Sequence, residues 1–229
     1  MRRPPYFVTG TDTEIGKTFI AAALLELARE RGLRCAALKP VAAGCSVVDR
    51  ELVNDDALQL IAASGTDLDY ETVNPIALEP AIAPHIAAAH AGIQLDAGDL
   101  SRHCLDALAE DIDFAIVEGA GGWLVPLNAT ETLADVCVGI GARPILTVGM
   151  KLGCLNHALL TAHAIAQAGG ELAGWVANCP TPEMPVFEEN AATLRDRLAA
   201  PCLGVVPYLG NDATYRQAMP HLDIEALLR

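Results

Sequence analysis

Short apolar runs alternate along this chain with longer segments of helical period. Residues 6–9 form an apolar run that stops at a glycine, which predicts a first strand. Residues 17–32 place Ile20, Leu24, Leu27 and Ala28 at helical spacing and end on Gly32, a helix with its expected stop. Residues 34–39 read as a second strand closed by Pro40, residues 43–55 as loop and residues 56–64 as a short helix. Prolines and turn residues over 65–84 predict an irregular excursion. Helices follow at 84–92, with proline at its start, and at 100–110. A strand at 114–117 ends on Glu118, and 132–140 reads as helix. Then come a strand at 144–148, a strong helix at 156–169 with Asn156 as its candidate cap, and a strand at 172–177. The remainder reads as a helix at 185–198, a strand at 202–206 and a short helix at 222–228. Strand–helix alternation throughout predicts a mostly parallel sheet with helices on both faces, an α/β arrangement in one domain over residues 1–229.

Composition narrows the function classes. Just over half of the 229 residues are hydrophobic, enough to bury a core. Aromatics are scarce, which suits helices on a parallel sheet better than a β-sandwich. The formal net charge is −14. A nucleic-acid binder needs a positive footprint, and Lys and Arg form no run or basic helix face here. An anionic membrane surface would repel such a chain as well. The seven cysteines are scattered, odd in number and without a CxxC pair, which fits reduced, buried thiols rather than a zinc site or a disulfide framework. The Arg2-Arg3 pair precedes no apolar signal segment, and no window approaches the ~18 consecutive apolar residues of a membrane span. A cytoplasmic protein is expected.

The segment Gly10-Thr-Asp-Thr-Glu-Ile-Gly16-Lys17-Thr18 follows a strand and opens a helix, the setting that a phosphate-binding loop requires. Backbone N–H groups and the positive helix end face the phosphates there. Lys17 would add a point charge over the terminal phosphate oxygens, and the Thr18 hydroxyl could ligate Mg²⁺. The loop is a variant, because the common pattern has glycine where Thr11 stands and Gly10 lies one residue earlier. The fold expected is therefore a P-loop NTPase-like single domain.

Residues 113–122 read as an apolar strand ending in Glu118 and then Gly119-Ala120-Gly121-Gly122. Ligands gather at the carboxyl ends of parallel strands, and an acid there can hold Mg²⁺ while glycines let backbone approach a ligand. Lys39 ends another strand and would sit on the same rim, although a solvated strand-end lysine reads equally well. Asp56 opens a helix, where capping is the plainer reading.

Taken together, the motifs resemble those of the dethiobiotin synthetases. They are Phe7-Val-Thr-Gly-Thr-Asp-Thr-Glu14 with Gly16-Lys-Thr18, Lys39-Pro-Val41, Val117-Glu-Gly-Ala-Gly-Gly-Trp123 with Val125-Pro126, Lys151-Leu-Gly-Cys154 with Asn156-His157, and Ala173-Gly-Trp-Val-Ala-Asn178. They run over nearly the whole chain. The resemblance implies a homodimeric ligase of biotin biosynthesis that acts on 7,8-diaminononanoate. One amine takes up CO₂ as a carbamate, ATP phosphorylates it, and the neighbouring amine closes the ring with release of phosphate. By the same resemblance, Lys17, Lys39, Thr13 and Lys151 carry the chemistry, and Thr18, Asp56 and Glu118 hold Mg²⁺. The nucleotide is expected along Glu14, Ile15, Gly16, Lys17, Thr18 and Phe19, at Glu118, Gly119, Ala120 and Gly121, and between Asn178 and Pro207, Tyr208 and Leu209. Substrate is expected at Thr13, Lys39, Ala43 and Asn156, with Lys151 and Asn156 closing across a dimer interface. Ala43 stands where the family has serine, so one substrate contact is missing unless Cys45 or a water replaces it. Cys179-Pro180 departs from the polar residue expected after Asn178.

Three other readings compete. Partition-type switch ATPases share the expected fold but carry lysine at the place of Asp12, where an acid would repel phosphate. Amidation ligases of the same superfamily carry a glutaminase domain for which this chain is too short. A non-catalytic nucleotide-binding module fits poorly with the retention of Lys39, Lys151 and Glu118. The histidines show no metal spacing, and Trp123 and Trp175 read as packing residues.

Overall fold

The computed structural model describes residues 3–108, 111–182 and 184–229. Its centre is a six-stranded sheet in which every neighbouring pair is parallel. The first strand, β1 (Tyr6–Gly10), is buried at every residue. Its alternating side chains feed two cores: Tyr6 and Val8 point to one face and Phe7 to the other. This is why the strand reads as a continuous apolar run rather than as an alternating one. Helix α1 (Lys17–Glu30) lies against the Tyr6/Val8 face through Ile20, Leu24 and Ala28. Strand β2 (Cys35–Leu38) returns at the sheet edge beside the later strand β7.

The stretch expected as loop over residues 43–55 is partly ordered into strands. Strand β3 (Val41–Ala43) runs into it, followed by an antiparallel hairpin of β4 (Ser46–Val48) and β5 (Glu51–Val53). The hairpin turns at Asp49 and Arg50, both with positive φ (51° and 76°), so no glycine marks it in the sequence. Helix α2 (Asp55–Ser64) starts one residue earlier than expected because Asn54 caps it, accepting from the Ala57 N–H at 3.2 Å. Asp56 is therefore released from the capping role. A short α3 (Tyr70–Val73) and β6 (Ile76–Leu78), paired with β3, order part of the proline-rich excursion.

Helices α4 (Pro84–His90) and α5 (Ala97–Ala107) cover the Phe7 face. The last two residues of the helix expected over 100–110 lie outside the described residues. Strand β7 (Phe114–Gly122) is longer than predicted, running through Glu118 and the glycines in parallel with β1. Helix α6 (Leu133–Gly139) opens with a capping box between Thr132 and Asp135. Strand β8 (Arg143–Gly149) leads to α7 (Cys154–Gln167), whose N-cap is Gly153 at φ 98°. Asn156 is thus inside the helix and not its cap. Strand β9 (Gly174–Asn178), α8 (Phe187–Arg197), β10 (Cys202–Val206) and α9 (Glu225–Leu228) complete the chain. The strand order β10-β9-β8-β1-β7-β2 puts β1 between β7 and β8. Leu60 of α2 and Leu227 of α9 join α1 on one face, while α4 to α8 cover the other. Both tryptophans are buried and pack as expected, Trp123 edge-on to Phe7 with ring centroids 6.2 Å apart.

Candidate nucleotide and phosphoryl-transfer site

Because the sheet is parallel, the carboxyl ends of β1, β2, β7, β8, β9 and β10 open on one rim. That rim gathers Lys17, Lys39, Glu118, Lys151, Asn178 and Pro207, contributed by six separate strand ends. The loop after β1 explains its own variant spacing. The Thr11 N–H donates to the Thr147 carbonyl at 3.0 Å, and its hydroxyl accepts from the Gly149 N–H at 3.2 Å. A glycine at 11 would lose this second tie to β8. Ile15 is buried against Gly149, where an added Cβ would come within 2.3 Å of Ile15 Cγ2. Gly16 takes φ 81°, and a Cβ on it would meet Asn178 Nδ2 at 2.4 Å. That amide donates to the Ile15 carbonyl at 2.8 Å, so Asn178 clamps the loop from β9 and keeps its side-chain oxygen as an acceptor.

Lys17 is buried at the first turn of α1 and donates to the Asp12 carbonyl at 3.1 Å. Burial pushes its ammonium below the ordinary lysine value, opposed by Glu118. The Thr18 hydroxyl donates to Glu118 Oε1 at 2.8 Å. Glu118 is fully buried, and Lys39, 3 % exposed, donates to it and to Asp56 Oδ2 at 3.1 Å. The Gly119 carbonyl takes a weaker contact from Lys39 at 3.4 Å. Burial alone would lower the Lys39 pKa, but the two carboxylates outweigh it and hold the ammonium above its usual value. Asp56 is held low in return: burial would raise it, and Lys39 dominates. The solvated-lysine reading of Lys39 is thereby corrected; it is buried between two acids.

One oxygen of this cluster, Glu118 Oε2, is buried with no hydrogen-bond partner among the described residues. Buried carboxylate oxygens are rarely left bare, so the atom marks a place for a ligand. Together with the Thr18 hydroxyl and the half-exposed Asp56 carboxylate, the donor set is all oxygen, which suits a hard divalent cation such as Mg²⁺.

At the other end of the rim, Pro207 and Tyr208 line a cleft of about 650 Å³ with Cys179, Met184, Phe187 and Val205. The cleft is mostly apolar, with Glu188 and His221 also on its lining, a setting that can accept a flat aromatic ring. Leu209 and Phe19 instead pack against the core around α1. Thr13 and Glu14 stand exposed in the loop, Glu14 with φ 56° and the Thr13 hydroxyl beside Gly121. Ala120 is half-buried against the Phe7-side core. Ala43 ends β3 half-buried without a hydroxyl, and the Cys45 thiol is buried with its sulfur 3.7 Å from the Ala42 carbonyl. Asn156 lies exposed on α7.

The sequence reading used Asp12 only to argue against a partition-type switch, because an acid at that position would repel phosphate. The structure gives it a partner: Lys151 Nζ donates to Asp12 Oδ2 at 2.6 Å. Only the motif position hinted at this, since the two residues lie 139 positions apart.

Residues 5–212 match a family described as an AAA domain. The chain is 54 % identical over 224 residues to a protein of Pseudomonas paraeruginosa named ATP-dependent dethiobiotin synthetase BioD, covering 98 % of each. It is 52 % identical over 228 residues to the protein of that name from Cellvibrio japonicus, covering all of this chain and 99 % of the other. In fold it is similar to a ParA family ATPase from Chlorobium tepidum, with TM-score 0.55 at 13 % identity over 98 % of this chain and 93 % of that one. Among the described residues, no helix is long and apolar enough to cross a membrane.

Proposed function

The chain belongs to the ATP-dependent dethiobiotin synthetase family, and from that membership we propose how its P-loop rim performs the family's reaction. The enzyme is a ligase that forms carbon–nitrogen bonds. It catalyses the ATP-dependent ring closure of 7,8-diaminononanoate (diaminopelargonic acid) with CO₂ in biotin synthesis. The observation that carries the mechanistic reading is the buried Lys39 ammonium, set beside the P-loop between Glu118 and Asp56.

In this reading the whole chain works as one ligase domain. An amine nitrogen of the substrate adds to CO₂ and sheds a proton, leaving a carbamate. A carbamate oxygen attacks the terminal phosphorus of ATP and ADP leaves. The second amine then attacks the carbamoyl carbon, phosphate departs and the ureido ring closes. No protein nucleophile is needed, since the substrate brings its own. The chain supplies position and charge. Lys17 and the backbone of Glu14, Ile15, Gly16 and Thr18 hold the phosphates at the helix N-terminus. Lys39 faces the carbamate and the transferring phosphoryl group, where an ammonium stabilises the charge that develops. Thr13 and Gly119, Ala120 and Gly121 border the same space, and Lys151 closes it from β8. Thr18, Asp56 and Glu118 would hold Mg²⁺, which supplies charge neutralisation on the polyphosphate. Asn178, with its free amide oxygen, and the Pro207–Tyr208 cleft receive the base.

The same reading places the enzyme in the cytoplasm as a homodimer. Supporting a dimer, α7 and the turn before it expose Leu152 (98 %) and Leu160 (60 %) on the side that carries Asn156. Substrate would then be held between Lys39 of one protomer and Asn156 across the interface.

The test is ADP release by purified protein with MgATP and bicarbonate, with and without 7,8-diaminononanoate, while product mass is followed. Diamine-dependent turnover with appearance of dethiobiotin is expected. ATP hydrolysis at equal rates without the diamine would overturn the reading in favour of a switch ATPase.

A further inference from the structure

Asp12 makes three hydrogen bonds with three different atoms. Its Oδ1 accepts from the Thr13 N–H at 2.8 Å, its backbone carbonyl accepts from Lys17 Nζ at 3.1 Å, and its Oδ2 accepts from Lys151 Nζ at 2.6 Å. The first is a turn contact inside the loop. The other two fix the ammonium groups of two lysines from two different strand ends, β1 and β8, relative to one residue. Lys151 has no comparable support elsewhere. The residues that follow it are Leu152, 98 % exposed, and Gly153, at φ 98°, and Asp12 is the one side chain bonded to Lys151 Nζ among the described residues.

We propose that Asp12 is a positioning residue for the ligation: its carboxylate holds the Lys151 ammonium over the mouth of the P-loop of the same chain, ready for the transferring phosphoryl group. The proposal rests on the placement of Lys151 in the catalytic machinery above. A lysine on a flexible stem has many rotamers, and one anchored at its tip by a charged hydrogen bond has few. The join between the two loops is independently rigid, because Thr11 is bonded to both Thr147 and Gly149 and Ile15 is seated on Gly149. The carboxylate therefore has a fixed base from which to aim Lys151. The pairing also answers the objection that an acid here repels phosphate. An Asp12 carboxylate engaged by an ammonium presents little net charge to the incoming nucleotide, and its pKa is held low chiefly by that bond.

The two functions of the side chain can be separated. Asp12→Asn keeps an oxygen for the Thr13 N–H but replaces the oxygen facing Lys151 with an NH₂ group, which cannot accept. Turnover is measured with MgATP, bicarbonate and the diamine for the unaltered chain, for D12N, for K151M and for the double variant. The expected result is a kcat for D12N lowered about 10- to 100-fold, as for a displaced catalytic group, with KM for ATP little changed. In the K151M background, D12N should cost nothing further, because its partner is already gone. If K151M is slow and D12N retains full kcat, the proposal falls while the role of Lys151 stands. The proposal also falls if D12N lowers kcat by the same factor with and without Lys151, or if its loss lies wholly in KM for ATP. If K151M itself retains full kcat, the role assigned to Lys151 fails and takes the proposal with it.

Discussion

Two lysine–carboxylate contacts stand on the same rim and are built in opposite ways. Lys39 is buried and held between the fully buried Glu118 and the half-exposed Asp56. Lys151 and Asp12 meet with side chains 45 % and 44 % exposed. Coulomb's law is the same for both, but the surroundings are not. In the first case removing one partner leaves a charge stranded out of water, and folding itself depends on the pairing. In the second, water and salt can substitute for either partner, so the pair adds little stability and can open as nucleotide and substrate come and go. Burial thus makes one contact part of the fold and leaves the other free to position a moving group.

The sharpest way to break this contrast is Lys39→Met. It leaves Glu118 buried without its cation, and unfolding in denaturant should show a loss of about 3–5 kcal/mol. Turnover should fall by about 10³-fold or more, the scale of a lost phosphoryl-stabilising cation. A variant as stable as the unaltered chain would show that burying Glu118 without its cation has no measurable cost, and the contrast would fail on its buried side.

The contrast was only partly legible in the sequence. The P-loop was readable because its chemistry is local: strand, glycines, Lys17, Thr18 and helix lie in one stretch. Lys39 and Glu118 were candidates by strand-end position, but their contact spans 79 residues and no local period encodes it. Strand β7 was cut short at 117 because glycines read as a turn, whereas pairing with β1 carries it to Gly122. The hairpin after β3 was missed since Asp49 and Arg50 supply the positive φ that asparagine or glycine usually supplies. Asn156 looked like a cap because a polar residue before an apolar run is the usual signal, yet Gly153, three residues earlier, is the N-cap of α7. Asp12 entered the sequence reading only through its own charge, as an argument against the switch ATPases, because no local signal shows which side chain comes to meet it from elsewhere in the chain.

A smaller effect comes from acid. The Asp56 carboxyl sits below its ordinary value of 3.8 because Lys39 outweighs burial. A carboxyl lowered in the folded state stabilises the fold above its unfolded pKa, and that stability is lost as pH falls through the folded value. The thermal midpoint should therefore hold from neutrality down to about pH 4 and then fall below 3.8. In Asp56→Asn the fall should be shallower, measured by calorimetry across the same range. An equal slope in both would mean that the pull of Lys39 on Asp56 is not felt in folding. Asp12 is lowered as well, but its partner Lys151 is itself 45 % exposed, whereas the Lys39 that holds Asp56 is buried, so Asp12 should add little to this slope.

The smallest expected effect is the most telling for the exposed pair. Asp12→Asn should change stability by no more than about 0.5 kcal/mol, or about 1–2 °C in thermal midpoint for a chain of this length. Raising salt to about 1 M, where the screening length shrinks to about 3 Å, should leave the midpoint of the unaltered chain and of the variant still closer together. Turnover should respond differently. If the pair positions Lys151, salt should slow the unaltered enzyme towards the rate of the variant while both remain folded. A large stability loss in Asp12→Asn would instead mean that the loop contacts to Thr13 and Lys17 depend on the carboxylate charge. The exposed contact would then belong, like the buried one, to the architecture of the P-loop.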